Sequence, residues 1–356
     1  MIGIIIVGEI DLSPFSKKYI SEMEARNIPY EIIHWNRSGN YHEYDKKHLT
    51  YVEQVDMYGS LIKKVRPFYN FRKFAKRLIK EHKYEKLVIL TTQTAIILFD
   101  VVLSRKYRNR FFFDYRDTSY EYIGFYRRFI NKIIKSSFAT CISSPGFKKY
   151  LTNEKDLIVA HNFQDKYYEN RVLEYTPLNS DKIVIGYIGY LREFDYLKKF
   201  VDIFGNDERF RFNIHGGGDC VTELKAYSEK YRNVTVFGAY KESEKMDIVD
   251  SFDMICYNYP YSFVNYPAIA NKFYDGMIRK KPMFGNSRTY SGELIENNGL
   301  GISLDEEETQ ITQKIYDYFI SFDKKSFNEN CEKFLKNVLE DDKTYLNTID
   351  DFLDVK

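Results

Sequence analysis

Short β-rich runs alternate along this chain with helix-length segments, and that alternation restricts the fold more than any other feature. In the first half the runs fall at 3–7, 30–35, 86–90, 110–113, 139–143 and 157–160. Strands separated in this way form a parallel sheet with crossover helices, a Rossmann-like unit. A second series follows at 183–187, 210–215, 234–237, 254–257, 282–285 and 300–302. It predicts a second doubly wound unit. Between the two, residues 162–182 lose periodicity and carry Pro177, Asn179 and Ser180, which predicts a linker over 166–182 between domains at 1–165 and 183–340. Past Asp305 the chain turns helical, with amphipathic stretches near 310–322, 327–339 and 343–353. The expected class is α/β: two Rossmann-like domains followed by C-terminal helices.

A length of 356 residues suits two domains of ordinary size, and 44% hydrophobic with 29% charged residues excludes disordered and collagen-like chains. Cys141, Cys220, Cys256 and Cys331 form no CxxC pair, which argues against a disulfide scaffold or a thiolate zinc site and for a reducing, cytoplasmic compartment. The opening MIGIIIVGEIDLSP carries no basic leader, and its apolar run is of strand length. The greasiest stretch, 87–103, is broken by Thr91, Thr92, Gln93 and Asp100, so no transmembrane helix is predicted.

Net charge is +2 but unevenly spread. Residues 1–165 hold 28 Lys and Arg against 18 Asp and Glu, and residues 166–356 hold 25 against 33, so the halves carry +10 and −8. A basic half suits an anionic partner or simply a solvated surface. Residues 66–86 place Pro67 near the start of a helix with Phe68, Phe71, Ala75, Leu78 and Ile79 at helical spacing and cations on the other faces. Residues 126–135 repeat that character. These segments suggest a peripheral protein on the inner face of an anionic membrane. No nucleic-acid-binding module is recognisable.

P-loop, HExxH and GxSxG motifs are absent, the six histidines are scattered, and no DxD triplet follows a strand, so neither a metal nor a bound cofactor is expected. The strand at 183–187 runs into GYIGYLR, with Gly189 at the turn, Arg192 beyond it and Lys198 in the following helix. Such a turn can hold a diphosphate through backbone N–H groups and cations, or can simply be a tight strand-to-helix connection. Residues 215–219, HGGGD, end one strand and open a helix: Gly216 to Gly218 allow close backbone approach to a ligand or simply pack the turn, and Asp219 can act as an N-cap. In ANKFYDGMIRKKPMF, Asp275 near a helix start suits ribose hydroxyls.

Taken in order, GYIGYLR, HGGGD, VTVFGAYKESEKMDIVDSFDMICYNY, ANKFYDGMIRKKPMF and SGELIENNGLGISL resemble the GT-B glycosyltransferases, most nearly the retaining family 4 group. FFFDYRDTSYE, CISSPGFKKYL and VAHNF in the first half are similar to the end of such an enzyme's acceptor domain. The resemblance implies an acceptor domain, a nucleotide-sugar domain facing it across a cleft, and a final helix, 341–356, packing back on the first domain. It implies that Arg192 and Lys198 neutralise the donor diphosphate, that Lys272 reaches the phosphates or sugar, that Asp275 holds the ribose, and that Gly8, Gly189 and Gly216 bring backbone to the donor. Asp117, in the YRD turn, is the candidate acceptor-side carboxylate or a helix N-cap. One departure stands out: family 4 places a glutamate eight residues before the ribose carboxylate, and here that residue is Pro267.

The function this implies is transfer of a sugar, with retention and without metal, from a uridine-linked nucleotide-diphosphate donor to a lipid-linked or growing glycan in bacterial surface or capsular polysaccharide synthesis. The alternatives are a non-catalytic partner subunit of the same fold and a sugar-nucleotide epimerase.

Overall fold

The computed structural model describes residues 1–39, 43–55 and 61–354, and the chain divides into two compact units. The first comprises Met1–His161 together with residues from Glu340 onward, and the second comprises Asn162–Leu339. Residues 166–182, expected to link the domains, instead pack within the second unit. The N–H groups of Val172, Tyr175 and Leu178 donate there to Ile278 O, Asn328 Oδ1 and Asp253 Oδ1.

The first unit is built on strands β1 (Ile2–Ile6), β2 (Tyr30–Asn36), β3 (His48–Val52), β4 (Lys86–Leu90), β5 (Phe111–Tyr115), β6 (Ala139–Ile142) and β7 (Leu157–Val159), all parallel, in the order β3-β2-β1-β4-β5-β6-β7. Central strands are apolar without alternation because helices cover both sides of the sheet. In β1, which pairs Ile4 with Ile32 and Val88, Ile5 enters one core and Ile4 and Ile6 the other. The first core is closed by α2 (Leu61–His82), α3 (Thr92–Ile97), α4 (Phe99–Val102) and α5 (Gly124–Ser136), through residues such as Phe71, Ala95, Val102 and Ile133. The second is closed by α1 (Ser16–Ala25) and by Tyr345, Ile349 and Phe352 near the end of the chain. Pro67 lies inside α2 rather than at its start, because the helix begins at Leu61.

The second unit carries α6 (Asp165–Tyr168), then β8 (Ile183–Ile188), α7 (Phe194–Gly205), β9 (Phe210–His215), α8 (Val221–Ser228), β10 (Val234–Gly238), α9 (Lys245–Asp250), β11 (Met254–Tyr257), α10 (Asn271–Ile278), β12 (Met283–Asn286), α11 (Tyr290–Asn297), β13 (Gly301–Leu304) and α12 (Ile311–Ser321). Its six strands are parallel in the order β10-β9-β8-β11-β12-β13. Phe200, Val201 and Phe204 of α7 cover one face, and Phe273, Met277 and Ile278 of α10 cover the other. Both sheets are Rossmann-like. Each reverses its strand order beside its first strand, between β1 and β4 and between β8 and β11, where open α/β sheets bind ligands.

The stretches expected at 327–339 and 343–353 are one helix, α13 (Lys324–Asp354). Phe327, Cys331, Leu335 and Val338 join the second unit's core, and Tyr345, Ile349 and Phe352 join the first's. Within the first unit, Lys18 pairs with Asp342, Arg26 reaches Asp350 at 3.2 Å and Asp354 at 2.8 Å, and the buried Lys86 ammonium donates to the carbonyls of Phe352 and Leu353. A cation at a helix C-terminus satisfies carbonyls without helical partners and meets the negative end of the dipole. No helix among the described residues is long and apolar enough to cross a membrane.

Candidate active site

The second unit's switch point opens into two adjoining cavities. One, of 290 Å³, is lined by Gln164, by Ile188, Gly189 and Tyr190 after β8, by Tyr240, Glu242 and Lys245 beyond β10, and by Tyr259, Ala270, Asn271, Lys272 and Asp275. The other, of 440 Å³, shares Gly189, Tyr190, Tyr240 and Glu242 and adds Gly217, Gly218 and Ala239. The loops forming the shared wall are bound to each other. Gly189 N donates to His215 O at 3.0 Å and Leu191 N to Gly217 O at 2.8 Å. A Cβ on Gly216 would stand 1.7 Å from Gly189 O, and one on Gly218, where φ is +149°, 2.2 Å from Leu191 O. Of the two roles open to Gly216, donor contact and packing of the turn, the structure shows the packing, while Gly217 and Gly218 line the cavity.

Lys272 sits in the first turn of α10, 4% exposed, with no hydrogen-bond partner for its ammonium. It lies 3.6 Å from the ring centre of Tyr187, 4.6 Å from that of Tyr259 and 5.7 Å from that of Tyr257. Burial pushes those three phenols up, so the rings stay neutral and present π-faces rather than counter-charges. Burial also pulls the Lys272 ammonium down to about 7. One turn on, Asp275 is 3% exposed, and burial raises its carboxyl to about 6 against the opposing charge of Lys245. The Lys245 ammonium stands 2.8 Å from Asp275 Oδ2, an ion-pair distance without hydrogen-bond alignment to that oxygen. α10 has no side-chain cap, leaving its N-terminal backbone and dipole at the cavity's edge.

Across the cavity, Tyr167 donates to Glu242 at 2.6 Å and Lys166 approaches it at 3.6 Å. Burial acts upward on Glu242, but that hydrogen bond and the charges of Lys245 and Lys166 hold its carboxyl below the usual range. Tyr190 donates to Asp219 at 2.6 Å, so Asp219 orients a wall tyrosine and does not cap α8, whose N-cap residue is Cys220. Arg192 is exposed, with its guanidinium 5.4 Å over the Tyr190 ring, and its charge lowers the Tyr187 and Tyr259 phenols against the effect of burial.

The structure thus brings Gly189, Lys272 and Asp275 to one cavity, whereas Arg192 lines neither cavity and lies over the ring of Tyr190, which lines both. Lys198 lines neither cavity: its ammonium lies 4.8 Å from the Tyr227 ring of α8 and 5.9 Å from that of Phe194. Pro267 is buried and lines neither. Gly8 and Asp117 belong to the first unit, past the ends of β1 and β5. Gly8 O accepts from Trp35 N at 3.1 Å. The Asp117 side chain is exposed, and α5 starts seven residues later at Gly124 behind N-cap Ile123, so Asp117 is no N-cap. Sequence reasoning missed Lys245, whose setting in KESEKMD reads as a solvated face, and the tyrosines around Lys272. Among the described residues no three His, Cys, Asp or Glu side chains converge to hold a metal ion.

Solved structures with a similar fold align over essentially the whole chain. Sucrose-phosphate synthase from Thermosynechococcus elongatus aligns with a TM-score of 0.67 at 12% identity over 97% of this chain and 98% of its own. The fold is GT-B. Anabaena HepE in complex with UDP-glucose aligns with a TM-score of 0.66 at 12% identity over 98% of this chain and 99% of its own. WaaG, a glycosyltransferase involved in lipopolysaccharide biosynthesis, gives 0.62 at 10% over 98% and 99%. No protein-family profile matches the sequence, and no curated protein is similar to it by sequence.

Proposed function

We propose that the protein is a glycosyltransferase that binds a nucleotide-diphosphate sugar in the second unit and transfers the sugar to a lipid-linked or growing glycan of a bacterial surface polysaccharide. One observation carries the reading: a buried lysine without an acceptor stands beside a buried Asp–Lys pair, in a cavity at the switch point of a GT-B sheet. An unpaired buried cation is unfavourable unless a ligand supplies the anion, and the uncapped start of α10 adds positive potential beside it.

In this reading Lys272 and Arg192 take the diphosphate, Asp275 accepts from the ribose hydroxyls, and the Gly217–Gly218 cavity receives the base. Lys198 joins the diphosphate only by leaving Tyr227. The donor is uridine-linked, a choice supported by similar folds solved with UDP-glucose and with UDP-2-fluoro glucose. The bond from the anomeric carbon to the diphosphate breaks and the acceptor oxygen bonds to that carbon on the same face. The acceptor's proton passes to the departing phosphate oxygen, so no protein nucleophile and no metal is required. Positive charge held in place by the fold stabilises the negative charge developing on the leaving group. Asp117 is the acceptor-side candidate.

The test is thermal unfolding of the full chain with UDP, GDP, CMP and NAD and the sugar conjugates of the nucleotides, followed by nucleotide release from any donor that stabilises it. A ligand at a hundred times its Kd adds about 2.7 kcal/mol. Stabilisation by one nucleoside diphosphate and its sugar is expected, with release once acceptor is supplied. Stabilisation by none would overturn the reading. Binding without release under any acceptor would favour a non-catalytic partner, the reading that Pro267 favours, and conversion of the donor sugar without acceptor would favour an epimerase.

A further inference from the structure

In the run KESEKMD only one charged side chain turns inward. Lys241, Glu242, Glu244 and Asp247 are exposed, whereas Lys245, the first residue of α9, is 5% exposed. Val249, one helical turn later, enters the core that Phe273 and Met277 of α10 also enter, so the face of α9 that carries Lys245 lies against α10. A lysine buried in this way is unfavourable unless an acid meets it, and Asp275 meets it at 2.8 Å.

The charged and titratable groups facing Asp275 come from three places: Lys245 with Glu242 from α9 and the turn before it, Lys166 and Tyr167 from α6, and Tyr240 from beyond β10. Burial acts upward on the Asp275 carboxyl, the Lys245 charge opposes it most strongly, and the smaller effects of Glu242 and Lys166 oppose each other. Burial pushes the Tyr167 and Tyr240 phenols up and Glu242 stays below the usual carboxylate range, so none of these three changes charge between pH 6 and pH 8.5. Lys245 also differs from Lys272 across the cavity. Lys272 has no acceptor and is open to an anion, whereas the Lys245 charge is already matched. A matched cation adds little to phosphate binding, but the carboxylate it keeps ionised is a strong acceptor for a hydroxyl.

We propose that Lys245 is a positioning residue of the donor site: by pairing with Asp275 it keeps that carboxylate an acceptor for the donor's ribose hydroxyls, and it does not itself bind the phosphates. The inference rests on the donor reading above. It is tested by calorimetric titration of UDP-glucose into the full chain and its Lys245→Met variant from pH 6 to pH 8.5, and into Asp275→Asn and Asp275→Asn/Lys245→Met at pH 7.5. Without the cation, burial drives the Asp275 carboxyl up by about 1–2 units, so the ratio of parent to variant affinity is expected to grow from below ~2-fold at pH 8.5 to at least ~5-fold at pH 6. Lys272 titrates in both chains and cancels in that ratio. A purely structural role would lower affinity by one factor at every pH. Once residue 275 is uncharged Lys245 has nothing to hold, so the double variant is expected to bind within ~2-fold of Asp275→Asn. That comparison stands even where Lys245→Met alone does not fold, because the double variant buries no unmatched carboxylate. Binding by the parent with a ratio independent of pH, or a double variant clearly weaker than Asp275→Asn, would overturn the inference and leave the donor reading standing. No binding of UDP-glucose by the parent would overturn both.

Discussion

Replacing Lys272 with methionine separates what this residue does for the fold from what it does for a ligand. Burial lowers its ammonium from the ordinary 10.5 to about 7. Between those pH values the unfolded chain holds a proton that the folded chain has released. Stability contributed by this site therefore rises with pH across that window and lies at its floor below pH 7. A shift of about 3.5 units at about 1.36 kcal/mol each amounts to roughly 4–5 kcal/mol of destabilisation at neutral pH. Methionine keeps the length of the side chain, removes the charge and packs its thioether on the same tyrosine rings. The variant is therefore expected to be at least ~2 kcal/mol more stable at pH 7, a rise in Tm of several degrees, with the gap narrowing toward pH 10. Nucleotide-sugar affinity is expected to move the opposite way, falling about 10- to 100-fold with one charge-assisted hydrogen bond to phosphate lost. Calorimetric unfolding from pH 6 to 9 with titration of UDP-glucose measures both. A variant less stable than its parent at pH 7, or a gap independent of pH, would refute the argument that the ammonium is buried uncompensated. Unchanged affinity would refute its role toward the diphosphate.

Lys245→Met leaves Asp275 buried without its cation and is expected to destabilise the chain by about 3–5 kcal/mol at pH 7.5. Because the Asp275 carboxyl titrates at about 6, that loss should shrink by pH 5, where the group is protonated; urea unfolding at the two pH values checks this. Arg192→Ala is expected to slow sugar transfer at least ~10²-fold through weaker stabilisation of the leaving diphosphate, with little change in Tm because the side chain is exposed. Gly218→Ala drives a Cβ to 2.2 Å from Leu191 O and is expected to lower stability by about 1–3 kcal/mol and to weaken nucleotide binding with it; calorimetry and titration on one sample measure both.

How far the sequence spoke for the fold depends on burial. β4 and β11 match the expected runs at both ends because they are buried on both faces, and β9 (FRFNIH) matches because buried Phe210, Phe212 and Ile214 alternate with more exposed polar residues. β3 was invisible: HLTYV is a half-exposed edge strand that has one ladder partner, β2, and mixes polar with apolar residues. α13 read as two stretches because its apolar face is interrupted at Glu340, Asp341 and Asp342, where its packing passes from one core to the other. At the site, Gly189, Lys272 and Asp275 were legible because each occupies the end of a strand or the start of a helix, positions the topology itself carries to the switch point. Lys245 was not legible. Nothing in a run of alternating Lys and Glu distinguishes the one lysine that turns inward from those that stay in water, and its burial is decided by α10, some thirty residues on.

The charges around the cavity argue for what it holds. Lys245 is matched by Asp275 and Lys166 by Glu242, whereas the buried Lys272, its ammonium pulled down to about 7, and the nearby Arg192 face tyrosine π-systems. In the proposed reading a bound diphosphate would hold Lys272 protonated, and Lys272 with Arg192 would then match the two negative charges of a diphosphate esterified at both ends. The residue eight places before Asp275 is Pro267, so the carboxylate that the family resemblance leads one to expect there is absent. In the proposed reading, recognition of the sugar would then fall to other groups, and the side-chain amides of Gln164 and Asn271, which line the cavity with Lys272, are candidates for it.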